Sequence, residues 1–471
     1  MHVARCFCRM RTVSLAMQLV LLFAFSRSIC ICATVRSGAL QRSEVWRQQD
    51  SPVRIDGELR IPKGVSVTIE PGVVVEFFGS IKSPACISVF GELRAIGSPT
   101  KPILFKGGNE EQWRKGLAIG ITVAKSANPS DEKGTKGTCF KHCVFKHLQS
   151  PLSSEAPTYV GYCWFEDVGF SGALKFAVTL RAGAIEYSRI RRCGNGALML
   201  GEDAVARYCL IEDGDMDAVG GEAFLEHCTI RNFKRFALSS IGRSFNLFCC
   251  LISKCGTFAA LPNDDGIFPN IMIEDVSITD MGEEHGWGAI HILGRAKASE
   301  NVVRINTRGD CNRVISRVLI SDSVGGHEVI ARRIWWGISS PDITDENLFR
   351  GNGSRFNIFP VIPSEPYMQR MSHEGAVVDE RGNVVPDAMV WVQDSRTSPC
   401  STDEHGVFRV DGSVPGIYAL HAYRPWVGHG FSRADWAFAG EVCRTMGFVK
   451  GKQEPLVIRL SGRVSDAREG Q

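Results

Sequence analysis

One short phrase returns through the middle of the chain. It stands as Cys143-Val-Phe145, Cys163-Trp-Phe165, Ser188-Arg-Ile190, Cys209-Leu-Ile211, Cys228-Thr-Ile230, Cys250-Leu-Ile252, Val276-Ser-Ile278 and Val318-Leu-Ile320. The last residues of successive phrases are spaced by 20, 25, 21, 19, 22, 26 and 42, the final gap reading as two periods around one degenerate copy. A period near 21 made of short alternating strands is the mark of a coiled β-solenoid. Period-2 alternation sends the first and third positions of each phrase to the same face of a strand. Glycines such as Gly169, Gly194, Gly214 and Gly256 follow at a few residues' distance and mark turns. No copy can bury its apolar face alone, so successive copies must stack, about 4.8 Å apart. Nine or so coils would make a rod of roughly 40 Å. Helical repeats need about 33 to 47 residues per unit. The 48 glycines also disfavour a stack of helices.

At 471 residues there is room for two or three domains, and 54 basic against 51 acidic side chains offer no nucleic-acid footprint. Arg5, Arg9 and Arg11 precede the apolar run Leu15–Phe25, which is followed by Ser26, Ser28 and Ala33. That is the layout of a secretory leader, its apolar run too short to cross a bilayer comfortably, so the expectation is export with no membrane span after leader removal. Seventeen cysteines in an exported chain would suggest disulfides. Four lie in the leader, and Cys143, Cys163, Cys209, Cys228 and Cys250 share one repeat position. These five are expected to form an inward ladder of small hydrophobes. No CxxC pair points to a metal.

The coil preceding the phrases has its own echo: Gly57-Glu-Leu-Arg60 recurs as Gly91-Glu-Leu-Arg94. Between them, Val65, Val67 and Ile69 share one face, Pro71-Gly72 turns the chain, and Val73, Val75 and Phe77 share the next. This stretch, with Pro102-Ile-Leu-Phe105 after it, resembles the opening coils of bacterial exported right-handed parallel β-helix proteins of the pectin-lyase-like fold. The resemblance runs from Val53 to about Trp336. It implies a fold and leaves activity open. Lys106–Lys136 reads as a coil with a long lateral loop. Pro341, Pro360, Pro363 and Pro366 mark an end cap and linker.

Further on, Gly375, Asp379, Gly382, Pro386, Ala388 and Val390 are followed by Thr402-Asp-Glu-His-Gly-Val-Phe408 and Pro415-Gly-Ile-Tyr418. This resembles the carboxypeptidase regulatory-like module, a small transthyretin-type β-sandwich in which such residues set turns and core. The expected architecture is therefore all-β: a right-handed parallel β-helix solenoid followed by a small β-sandwich. Its divisions are a signal peptide at 1–33, the β-helix at 34–345, a cap and linker at 346–371, the sandwich at 372–461 and a tail at 462–471.

Candidate chemistry is sparse. Asn263-Asp-Asp-Gly266, His285-Gly-Trp-Gly288 and Arg304 loosely resemble the aspartates, histidine and arginine of polygalacturonases. That resemblance implies Asp264 and Asp265 as acid and base, with His285 and Arg304 holding a uronate. The departures are that the aspartates form one cluster, Glu-His-Gly replaces Gly-His-Gly, and Asn306 replaces lysine. Asn-Asp-Asp-Gly is also an ordinary turn sequence. Glu212, Asp213, Asp215 and Asp217 form an acidic run that could collect calcium, or a solvated turn. Trp335, Trp336, Trp426, Phe431 and Trp436 offer rings on which sugars could stack, or core packing. No other cofactor is implied. The leading expectation is an exported, non-catalytic protein binding polysaccharide or a cell-surface partner. A polysaccharide-degrading enzyme at Asp264, Asp265 and His285 is the first alternative, and a structural surface protein the second.

Overall fold

The computed structural model describes residues 33–109, 115–169, 176–240, 244–261, 268, 270–281, 289–293, 302–308, 313–315, 319–323, 327–332, 334, 336, 341, 348–351, 354–359, 371–379, 381–393, 395, 397–413, 416–436 and 457–460. The expected leader lies outside them. Among the described residues no helix is long and apolar enough to cross a membrane.

Each coil of the solenoid carries three short strands that pair in parallel with those of the coils above and below. One complete coil shows the plan. Cys139–Lys141 lies on the first face, Cys143–Lys146 on the second and Leu152–Ser154 on the third; Thr158–Gly161 then returns to the first face. The fold is thus the expected right-handed parallel β-helix followed by a small β-sandwich.

The solenoid is longer than the phrases indicate. On the third face a single register line passes through Ala39, Arg60, Ser88, Thr122, Ser153, Thr179, Met199, Gly220, Ser239, Ala259, His291, Ser321 and Arg350. That is one residue per rung, so these rungs span roughly 60 Å at ordinary strand spacing. The last strand, Arg355–Asn357, pairs with Glu328–Ala331 and carries the solenoid past the expected boundary at 345. The final phrase does not share the face of the others. Ser277-Ile278 pairs with Arg313-Val314 on the second face, while Ile320 belongs to the third face and pairs with Ile290. The 42-residue gap is therefore not two periods, because one coil there has a long insertion.

Why three-residue phrases recur follows from the backbone. The residue before each phrase is left-handed: His142, Tyr162, Tyr187, Tyr208, His227, Cys249 and Asp275 all have φ between 50° and 56°. The residue two past each phrase is left-handed as well, at His147, Asp167, Arg192, Asp213, Asn232, Lys254 and Asp280. Each phrase is a strand bracketed by two single-residue corners. Of the four glycines taken as turn markers, only Gly169 has positive φ. A non-glycine in this region costs roughly 1–2 kcal/mol. At the first corner, stacking offsets much of that. The rings of His142, Tyr162, Tyr187, Tyr208 and His227 follow one another at 4.9, 5.0, 5.2 and 4.7 Å, with planes within 18°. Such pairs contribute about 0.5–1.5 kcal/mol each.

Inside, Phe105, Phe145 and Phe165 stack at 4.8 and 4.6 Å, and the five phrase cysteines point inward and are buried. Their thiols reach carbonyl oxygens of the preceding coil, as Cys143 Sγ does to Ala95 O at 3.4 Å and Cys209 Sγ to Ile185 O at 3.4 Å. All are unbonded thiols.

The sandwich consists of a three-stranded sheet, Val407–Ser413 with Met371–Val378 and Val457–Leu460, and a four-stranded sheet built on Met389–Gln393 and Gly416–Arg424. Val377, Val390, Val392, Phe408, Val410 and Leu420 form its core. The Asp379 carboxylate accepts the backbone N–H of Arg381 at 2.9 Å and of Asn383 at 2.8 Å, and Gly382 turns at φ 84°. Asp403 does the same for His405 and Val407 around Gly406.

Candidate functional site

The sandwich docks on the second face of the solenoid, which settles where a ligand cannot bind. The middle residues of successive phrases, Val144, Trp164 and Leu210, join Met389, Trp391 and Tyr423 in one buried cluster. Arg189 and Glu212 are buried beside them; Arg189 donates to Glu212 and to Asp387 O (2.9 Å). Asp387 bridges back to Arg191 at 3.1 Å. Burial works against ionising Glu212, but Arg189 and Arg231 outweigh it and hold its carboxyl below the usual range. Thr229 Oγ1 donates to Pro399 O, and Ser398 Oγ to Cys249 O, extending the seam along the rod.

The third face is different. A groove of about 810 Å³ runs across the strands Ala118–Val123, Leu152–Ser154, Val178–Glu186, Leu198–Arg207 and Val219–Gly221. Residues that alternate inward, such as Ile121, Leu152, Val178 and Leu198, belong to the core. Their neighbours Thr122, Ser153, Thr179 and Met199 face out and line the groove, one per coil in unbroken register. Beyond Met199 the same line becomes Gly220, and then Ser239, Ala259, His291 and Ser321, which are buried.

Glycine shapes one edge. A Cβ on Gly196 or Gly220 would come within 2.4 or 2.7 Å of the Phe176 ring, so that ring can extend from its own coil across the next two only because both positions lack side chains. Ser150 Oγ donates to Phe176 O at 3.3 Å and helps fix its backbone. The opposite wall carries Arg181, Glu202 and Glu222, set just past the third-face strands of three consecutive coils. Hydroxyls in a row, one aromatic ring and a few charges are the composition of a site for an extended polar ligand. A smaller hollow of about 410 Å³ lies at the corner by Asn232, Lys254 and Asp280.

The residues singled out from sequence distribute as follows. Asp264, Asp265, His285 and Trp335 lie outside the described residues. Arg304 sits in the strand Val302–Arg308 on the first face, paired with Ile330, away from the groove's face. Trp336 is core: it is 2% exposed and meets the Phe349 ring edge-on at 6.1 Å, so it has no free face on which a sugar could stack. Trp426 is half-exposed, with Lys146 over its ring at 5.7 Å. The side chains of Phe431 and Trp436 are outside the description.

The acidic run does not converge as a calcium site would. Glu212 points under the sandwich to Arg189 and Arg231, Asp213 accepts from Asn232 at 2.8 Å, Asp215 from Lys234 at 2.6 Å, and Asp217 faces Arg235. The four carboxylates are spread over the strand end, the corner and the loop beyond it, and each meets a nitrogen donor of the next coil. Burial raises the Asp217 carboxyl. Among the described residues no group of His, Cys, Asp or Glu is arranged to hold a metal.

One further polar cluster was not foreseen. His291 Nδ1 and Ser321 Oγ are hydrogen-bonded on adjacent rungs. Just inside them Asp322 accepts from His327 Nδ1 at 2.8 Å and from Ser354 Oγ at 2.6 Å. Burial lowers the His291 pKa, with Asp322 opposing.

No family model matches the chain, and no curated protein does. Among solved structures, the tailspike protein of Acinetobacter phage vB_ApiP_P1 aligns over 91% of this chain and 80% of its own, at 10% identity and a TM-score of 0.23.

Proposed function

We propose that this protein is an exported, non-catalytic β-helix that binds a polysaccharide strand lengthwise in the third-face groove. One observation carries the reading: a line of outward side chains, the hydroxyls of Thr122, Ser153 and Thr179 followed by Met199, lies at the same register on consecutive coils within one groove. A line repeating every rung of about 4.8 Å suits a polymer better than a compact molecule, because each unit meets an equivalent rung. The Phe176 ring supplies an apolar edge against a sugar face, and hydroxyls and carboxylates supply partners for its hydroxyls. The sandwich, read as a transthyretin-type accessory domain, stiffens the rod from the second face and leaves the third open. Export is supported by the leader-like sequence before Ala33.

The test uses the full chain from Ala33 onward and a set of immobilised polysaccharides. Retention of the wild type, lost in Thr179→Trp, is the expected result. Thr179 faces outward, so the indole fills the groove and leaves the core untouched. Reducing ends and unsaturated products are followed in the same samples. Their appearance would replace the binding reading with a degrading enzyme, and Asp264→Asn with Asp265→Asn would then show whether those carboxylates act. Failure of Thr179→Trp to alter retention would remove the groove from consideration.

A further inference from the structure

We infer that the groove selects uncharged glycan strands and rejects polyuronates, a deepening that rests on the polysaccharide reading above. The floor carries no charge along its length: Thr122, Ser153, Thr179 and Met199 are neutral, and the Phe176 edge is apolar. Among the described residues that line the groove, charge stands on one wall, where Arg181, Glu202 and Glu222 lie on three consecutive coils. Two of these three are carboxylates, and Asp203, exposed beside Glu202, adds a third negative group.

A polyuronate carries one negative charge per residue. Lying along these coils, it meets the Arg181 guanidinium and then passes two carboxylates one coil apart, the charged groups among the described lining residues. Like charges at such distances repel strongly wherever a binding groove excludes water. An uncharged strand meets no such opposition. Its hydroxyls donate to Glu202 and Glu222, accept from Arg181, and exchange hydrogen bonds with the floor hydroxyls, while a sugar face covers Phe176. The selectivity therefore comes from what the wall repels as much as from what the floor accepts.

The experiment compares retention on a neutral β-glucan, a neutral galactan and polygalacturonate, at low and high salt, for the wild type, Glu202→Lys, Phe176→Ala and Thr179→Trp. The expected result has three parts. The wild type is held by at least one neutral polymer and not by polygalacturonate. Glu202→Lys gains about tenfold in polygalacturonate retention at low salt, a gain erased at high salt. Phe176→Ala weakens the neutral polymer, and far-UV circular dichroism reports whether its solenoid is intact; Thr179→Trp replaces it if not. Wild-type retention on polygalacturonate that Thr179→Trp abolishes would overturn the selectivity and leave the groove in place. Absence of retention on every polymer, or retention that Thr179→Trp leaves unchanged, would overturn both.

Discussion

Acidifying the protein from pH 7.5 to 5 should release the sandwich from the solenoid while both stay folded. Four histidines sit in the seam: His227, whose Nδ1 lies 3.1 Å from Thr397 O, and three that cluster around Tyr162, Trp391 and Tyr423. His142 stacks on Tyr162 at 4.9 Å and has its Nδ1 at 3.4 Å from the Tyr423 hydroxyl. His429 faces Tyr162 and Trp391, each at 5.5 Å. His421 stacks on Trp391 at 5.1 Å; its Nε2 meets Gln393 Oε1 at 3.1 Å and its Nδ1 meets His429 Nε2 at 3.2 Å. That arrangement assigns tautomers. His421 Nε2–H donates to the glutamine oxygen, so its Nδ1 must accept the proton of His429 Nε2–H. His421 is then neutral, and a proton added at its Nδ1 would set N–H against N–H.

Burial, with Lys141 adding, pushes His142 down to about 4; burial, with His421 and His142 adding, pushes His429 down to about 3. Released into water, each returns to about 6.5. Since the docked values are depressed, the released form binds more protons at every pH below about 6.5, and docking weakens as pH falls from there toward 4 and 3. At pH 5 each ring costs about 2 kcal/mol, and the pair about 4 kcal/mol, on the order of a thousandfold in the docking equilibrium. The Asp387 bridge does not confuse the window. Burial opposes its ionisation, but Arg191 and Arg189 outweigh that and hold the carboxyl below its usual range. Its contribution is therefore present throughout and lost only at lower pH. Small-angle scattering would show the radius of gyration rising between pH 6.5 and 4.5, and hydroxyl-radical footprinting would show Trp164 and Trp391 becoming labelled together. A His142→Phe, His429→Phe double variant should stay docked through that range. Flat scattering in the wild type, or an unchanged transition in the double variant, would refute the reasoning.

Three other outcomes follow from the packing. Arg189→Met leaves the buried Glu212 short of a partner and should cost about 3–5 kcal/mol in urea unfolding; adding Glu212→Leu should restore much of it. Phe145→Ala breaks the Phe105–Phe145–Phe165 stack and should cost about 3–5 kcal/mol, read as a lower midpoint of the solenoid transition. Cys143, Cys228 and Cys250 have thiols raised well above their ordinary range, mainly by burial, so native protein at pH 8 should not react at these sites with an aromatic disulfide reagent. Peptide mapping after a denaturant pulse should then find all three labelled, and fast native labelling of any of them would contradict an inward ladder.

The solenoid was legible because its second face is written in a regular phrase. A small inward residue, an outward one and a large inward one must recur wherever two left-handed corners bracket a strand, so Cys143, Cys163 and Cys209 announce one another. The corners themselves were harder to see. Glycine is the expected left-handed residue, but here the position is taken by His142, Tyr162, Tyr187, Tyr208 and His227, whose rings stack across coils; the cue is an aromatic ring just before each of the first five phrases. Docking of the sandwich left a signal too, since Val144, Trp164 and Leu210 place large apolar groups where a solvated face would have polar ones. A residue read as outward in an isolated coil is only outward until another domain arrives.

The groove was invisible for a different reason. Its line, Thr122 to Ser153 to Thr179 to Met199, is spaced by 31, 26 and 20 residues, because the loops leaving and reaching the third face vary in length. Variation there conceals a period in sequence that the ladder of hydrogen bonds restores in space, since register is set by pairing and not by chain length. The same variation tells the faces apart. The tight one-residue corners between the first and second faces keep that edge constant, which suits it to hold a second domain in fixed register. The third face, reached through loops free to lengthen, is the place where a row of outward side chains can be bordered by Phe176 on one side and by Arg181, Glu202 and Glu222 on the other without disturbing the core. Corner geometry thus divides the faces: the second holds the sandwich in fixed register, and the third is left open for the proposed strand.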